Sequence, residues 1–239
     1  MKSLVPLAAA IVVALAPLGA EPAAKPLRVC LVSGAESYHS DEAFAGLAAY
    51  LEREHGMKCE VLRFSPDGTA LPGIEHLLAA DTAVFHVRRK TLNPANLAVL
   101  KRFFASGKGF VALRSTSHGW ENWKEFDHEV LGATYGGPGG GNFGNAEKLI
   151  FKPHPIWDGA QGLDTKKDVY RLTNFAPDLN VLVEADTKNG RVPVGWTRPH
   201  HQSRLFYLAL FYEIDQPPFQ RAIANALRWV TAPAPQPAR

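Results

Sequence analysis

The densest chemistry in this 239-residue chain is the run Arg114-Ser-Thr-Ser-His118-Gly-Trp120, with Trp123 close behind. It sets a guanidinium, an imidazole and three hydroxyls beside indole rings. An arginine that directly follows an apolar run cannot shed its charge, so it must find a partner or line a polar pocket. His118 with Trp120 puts an imidazole beside a flat apolar ring, a combination that suits a sugar; packing of the two tryptophans is the alternative. A second run, Gly34-Ala-Glu-Ser-Tyr-His39, leads into a helix start, where backbone N–H groups favour an anion or a polarised oxygen. His39 is therefore a candidate general base, or else a residue that only ties the loop. His86 and Arg88 straddle the end of an apolar run and share a face; His86 reads as a satisfied core histidine and Arg88 as the site candidate. Asp168 begins an alternating stretch and can orient a histidine or accept a substrate hydroxyl.

Other chemistries fit less well. Ser115 or Ser117 would serve as a nucleophile with a histidine partner, but the Gly-x-Ser-x-Gly elbow is missing. The chain has nine histidines, which invites zinc, yet no His-Glu-x-x-His or comparable spacing occurs. His200 and His201 are adjacent and in extended chain point opposite ways, so they do not chelate as a pair. No metal and no cofactor is expected. The glycine-rich stretch 136–144 lacks the Lys-Ser/Thr ending of a phosphate loop and reads as a flexible flap.

Regular elements must hold these residues. Arg28–Ser33 is a short apolar run ending at a glycine, as in a fully buried parallel strand. A helix follows from Ser40 as N-cap, with Phe44, Leu47, Ala48 and Leu51 on one face. Lys58–Phe64, Thr82–Val87 and Gly109–Arg114 read as further strands, with a short helix at Gly73–Ala79. Another helix is capped by Asn93-Pro94 and carries Leu97, Leu100 and Phe104. This alternation predicts an α/β fold with an open, mainly parallel sheet layered by helices. Ligands of such folds bind beyond the carboxyl ends of the strands, which selects the loops 34–40, 87–91 and 115–123. Short strands follow at 147–151, 168–172, 181–185, 192–197 and 205–210. A closing helix carries Phe219, Ile223, Leu227 and Val230.

Composition narrows the class. With 46% hydrophobic and 21% charged residues the chain can bury a core, which excludes disorder, collagen and coiled coil. The net charge of +3 is spread out, and the longest basic run is Arg88-Arg89-Lys90, so no nucleic-acid partner is expected. Two cysteines cannot build a disulfide framework, and both read as free thiols. Residues 1–20 have Lys2, an apolar segment and a Leu-Gly-Ala ending, the pattern of a cleaved secretory leader; a secreted or periplasmic protein is expected. No later run is long and apolar enough to span a membrane. Residues 28–231 form the folded body, and the Pro/Ala stretch 232–239 reads as a disordered tail.

Several of these runs, in this order, resemble the ThuA-like (trehalose utilisation) family: Gly107-Lys-Gly-Phe-Val-Ala-Leu-Arg-Ser-Thr-Ser-His118, His154-Pro-Ile156, Asp168-Val-Tyr170 and Pro193-Val-Gly-Trp-Thr-Arg198 with Arg204-Leu-Phe-Tyr. The resemblance covers about Arg28 to Val230. It implies a flavodoxin-like fold similar to class I glutamine amidotransferases, without their activity, because the elbow cysteine is absent. It also implies carbohydrate breakdown, including that of oxidised (keto) sugars, with polar positions at His39, Arg114, His118 and Asp168. Two positions depart from the family pattern: the flap has no histidines, and Leu210-Phe-Tyr212 stands where many members have Gly-His.

Two functions follow. In the first, an exported enzyme acts on a small-molecule carbohydrate: His39 or His118 moves a proton, Arg114 holds developing negative charge and Asp168 orients the base. Arg88 assists binding. In the second, a non-catalytic carbohydrate-binding protein uses the same cleft, with Trp120, Trp123 and Trp196 as stacking platforms. The oligomeric state is left open.

Overall fold

A computed structural model describes residues 25–137 and 141–233. The leader expected at 1–20, three residues of the expected glycine flap and most of the Pro/Ala stretch lie outside the described residues.

The chain opens β1 (Arg28–Gly34), α1 (Ser40–His55), β2 (Lys58–Arg63), α2 (His76–Ala79), β3 (Thr82–Val87), α3 (Pro94–Ala105) and β4 (Phe110–Leu113). After the elbow come β5 (Thr134–Tyr135), β6 (Asn142–Phe151), β7 (Asp168–Tyr170), β8 (Leu172–Thr173), β9 (Asn180–Thr187), β10 (Gly190–His200), β11 (Ser203–Leu208) and α4 (Pro217–Thr231). Nine strands form one sheet in the order β2-β1-β3-β4-β11-β10-β9-β6-β7, while β5 and β8 pair separately. In the sheet only β10 and β6 run against the rest.

β3 is buried at every position, and its Thr-Ala-Val-Phe-His-Val run shows why: a central parallel strand is covered on both faces. The crossover from β1 to β2 steps one way along the sheet and that from β3 to β4 steps the other. Right-handed crossovers therefore put α1 and α3 on opposite faces. α1 buries Phe44, Leu47 and Leu51, and α4 buries Phe219, Ile223, Leu227 and Val230. At α3 the Asn93 side chain accepts from the Asn96 N–H at 2.9 Å and Pro94 fills the first helical position.

Two expectations change, and a third, that both cysteines are free, holds. The short strands after residue 140 extend the main sheet, and β10 runs for 11 residues. Ser40 is inside α1 rather than its cap. The cap is His39 in left-handed conformation (φ 51°), while the Ser40 hydroxyl accepts from the Ala35 N–H at 3.0 Å. Cys59 is in register with Val29, not Cys30, so the thiols face opposite sides of the sheet and stay free; burial pushes both up to about 12.

Candidate functional site

The order β2-β1-β3-β4 reverses direction between β1 and β3, the place where such sheets open a crevice. The elbow after β4 supplies the first site group. Arg114 has a left-handed backbone (φ 37°) and opens a tight 3-10 turn to His118. Its carbonyl accepts from the Tyr207 hydroxyl at 2.8 Å. The single Thr116 hydroxyl proton is shared between the Phe85 and Leu113 carbonyls, each 2.8 Å from Oγ1, which ties the turn to β3 and β4.

Arg114 itself is 1% exposed. One nitrogen donates to Asp168 Oδ2 at 2.8 Å and the other to the Asp168 carbonyl at 2.9 Å and the Ala209 carbonyl at 3.3 Å. Three tyrosine rings surround the guanidinium, Tyr170 at 4.3 Å, Tyr212 at 4.5 Å and Tyr38 at 5.3 Å, near enough for cation–π attraction. The Tyr38 and Tyr170 hydroxyls meet at 2.8 Å. Arg114 and Asp168 are thus brought together as expected of an arginine fork, but toward each other. Asp168 is spent on the arginine rather than on orienting a histidine. Nε, the remaining nitrogen, is buried with no partner among the described residues.

His118 ends the same turn and faces outward. Its ring stacks on Tyr135 at 3.8 Å and 25°. The Ser117 hydroxyl donates to the Arg114 carbonyl at 3.2 Å and lies 3.3 Å from His118 Nδ1. In the tautomer this bond favours, Nδ1 donates to Ser117 and Nε2 carries the lone pair. Burial, reinforced by Arg88, Arg89 and Arg114, holds the imidazole down to about 3, so it is neutral near pH 7.

His118 and Tyr135 wall a cleft of about 200 Å³ with Arg89, Trp120, Trp123 and Asp127. That is below the roughly 300–1,000 Å³ of drug-sized sites and suits one small ring. Backbone bonds zip its two loops together: the Arg89 N–H donates to the His118 carbonyl at 3.1 Å and the Lys90 N–H to the Gly119 carbonyl at 2.7 Å. Asp127 accepts from the His128 N–H at 2.6 Å and the Tyr135 N–H at 2.8 Å, and burial raises its carboxyl.

The remaining expected residues fall elsewhere. His39 is exposed in a separate groove with Tyr38, Glu42, Tyr212 and Asp215, which shares no lining residue with the His118 cleft. Trp196 is 0% exposed and donates to the Leu131 carbonyl at 2.8 Å, so it is a core side chain and offers no platform. Trp120 is 3% exposed, which hides its ring faces, while its Nε1–H has no partner among the described residues. Trp123 is half-buried against Phe104 and Phe126. His86 is fully buried as expected, but neither ring nitrogen has a partner among the described residues; it packs on Phe211 at 3.5 Å. Arg88 is exposed and does not line the cleft, although its charge reaches His118. Among the described residues no three His, Cys, Asp or Glu side chains gather as a metal site. The tyrosines and Arg89 escaped sequence reading. Tyr170 shares a face with Asp168 at a spacing of two, the one signal that could have found it.

The family profile for ThuA, trehalose utilisation, matches residues 28–230. The chain belongs to the ThuA family. Among solved structures, the ThuA-like protein of Parabacteroides merdae aligns with a TM-score of 0.66 at 15% identity, over 87% of this chain and 90% of its own. That of Bacteroides uniformis gives 0.63 at 16%, over 89% and 95%. A β-galactosidase from Bacillus circulans sp. alkalophilus gives 0.52 at 16%, over 84% of this chain but 30% of its own. These likenesses establish the fold. No curated protein matches the sequence. Family membership gives this ThuA protein a carbohydrate-related role.

Proposed function

We propose that this ThuA-family protein takes a sugar or keto-sugar derivative into the His118 cleft and acts on it by acid–base chemistry, after export directed by residues 1–20. The observation that carries this reading is the state of His118: a neutral imidazole with Nε2 free, stacked on Tyr135 at the wall of a cleft sized for one ring. Such a nitrogen accepts a hydroxyl proton in a hydrogen bond, or a proton from the carbon beside a ketone. Trp123 and Tyr135 supply apolar surface beside it. Arg114 and Asp168 act as positioning residues that hold the elbow and the tyrosines.

A second reading, binding without turnover, is favoured by one observation: His118 is a weak base, and no carboxylate among the described residues orients it. Incubation of the protein with native and 3-keto disaccharides, followed by mass spectrometry, separates the two. Turnover that disappears in His118→Gln supports the enzyme. Binding of the same sugars with no change in mass supports the binding protein. Turnover that survives His118→Gln contradicts the site. Export is tested by the N-terminus of the protein recovered outside the cytoplasm; a chain still beginning at Met1 contradicts cleavage.

A further inference from the structure

The cleft has more hydrogen-bond donors than the protein itself uses. Arg88 and Arg89 head the basic run at the end of β3, and both side chains are exposed. Their neighbour Lys90 pairs with Glu36, and Lys124 lies 3.9 Å from Glu121. For Arg88 and Arg89 no ion-pair partner occurs among the described residues. The Asp127 carboxylate is already engaged by two backbone N–H groups. Trp120 also lines the cleft, and its indole N–H, a donor that can never accept, is buried with no partner among the described residues. A buried donor left unmade is costly, and in the wall of a cleft an entering acceptor can relieve that cost. The backbone adds a second sign. Arg89 sits in the left-handed region (φ 50°), unfavourable for a side chain of its size, and its N–H bond to the His118 carbonyl keeps it beside the cleft.

We propose that the His118 cleft is built for an anionic sugar derivative, whose carboxylate or phosphate is held by Arg89 and the Trp120 N–H in the cleft wall, with Arg88 adding positive charge from outside the lining. The assignment rests on the cleft being the ligand site and names the class of ligand it takes. Carboxylate and phosphate share the needed chemistry, a compact group of acceptor oxygens matched to a guanidinium fork.

The test is calorimetric titration of the full chain with three forms of one hexose, the neutral sugar, its uronate and its 6-phosphate, and with inorganic phosphate alone. At low salt the uronate or the sugar phosphate binds at least about tenfold tighter than the neutral sugar, the increment expected of a charge-assisted contact. Whichever of the two is tighter identifies the group. Arg89→Gly keeps the backbone conformation, since glycine favours positive φ, and together with Arg88→Gln it abolishes the preference without lowering the melting temperature. Trp120→Phe retains the ring and weakens the anionic ligand alone. Equal affinity for neutral and charged sugars overturns the proposal, as does a preference that survives in the double variant. Failure of every anion to bind, phosphate included, also overturns it. Binding of phosphate with none of the sugars leaves the anion site standing and overturns the carbohydrate reading instead.

Discussion

Arg114 and His118 are four residues apart on one turn, yet they occupy opposite kinds of environment. Arg114 points inward, where Asp168 and the Ala209 carbonyl engage both terminal nitrogens and three tyrosine rings surround the guanidinium. His118 points outward onto Tyr135 and a cleft, with one ring nitrogen free of protein partners among the described residues. The lesson is that a polar residue beyond an apolar strand signals a site without saying which side of the wall it stands on. A charge paired inside the wall serves as a strut; a group with a nitrogen open to the cleft is free to meet a ligand.

The strut half of this contrast carries the largest expected effect. Arg114→Lys loses the fork, and Asp168→Asn leaves a buried guanidinium without its counter-charge. Each should lower stability by about 2–4 kcal/mol, somewhat below a fully buried pair because Asp168 is partly exposed. Denaturant melts check this, and wild-type stability in both variants would remove the distinction.

Acid should come next. His118 is held to about 3 and His200 to about 4, both mainly by burial, against an ordinary value near 6.5. The unfolded chain binds the protons first, so stability present above about pH 6.5 is lost as pH falls through that window toward the folded values. Each histidine contributes up to about 1.4 kcal/mol per pH unit. A His118→Gln variant should show a correspondingly shallower acid limb.

At neutral pH the same His118→Gln change should cost only about 1 kcal/mol of stability, the worth of one aromatic pair, while sugar affinity falls about tenfold. Trp196→Phe should do the reverse: it leaves the Leu131 carbonyl unpaired, costs about 1–2 kcal/mol and does not touch ligand affinity. The smallest effect is expected at His39. Its separate groove predicts that His39→Gln leaves sugar affinity in the His118 cleft within the error of the titration.

The sequence was most legible where a local pattern was also the global one. Thr82–Val87 reads as a strand and Asn93-Pro94 as a helix start, because each carries its own stop and start chemistry. The late strands were read as short because their burial alternates over lengths set by pairing partners far away in sequence. At the site, loop assignment worked and side-chain direction did not. Nothing in Arg114-Ser-Thr-Ser-His118 shows that φ turns positive at its first residue and sends the guanidinium inward. Trp196 looked like a platform because tryptophan suits both sugar binding and cores, and only its bond to Leu131 decides. Arg89 was passed over for Arg88, since the loop zipper that sets it against His118 depends on pairing between two distant loops.

The most direct measurement is a crystal structure of the protein with a sugar derivative that binds it in solution. The account predicts one ring between Trp123 and Tyr135, with an oxygen within hydrogen-bond distance of His118 Nε2 and Arg114 untouched behind its tyrosines. A sugar seated instead in the His39 groove, or in contact with the Arg114 guanidinium, would contradict it.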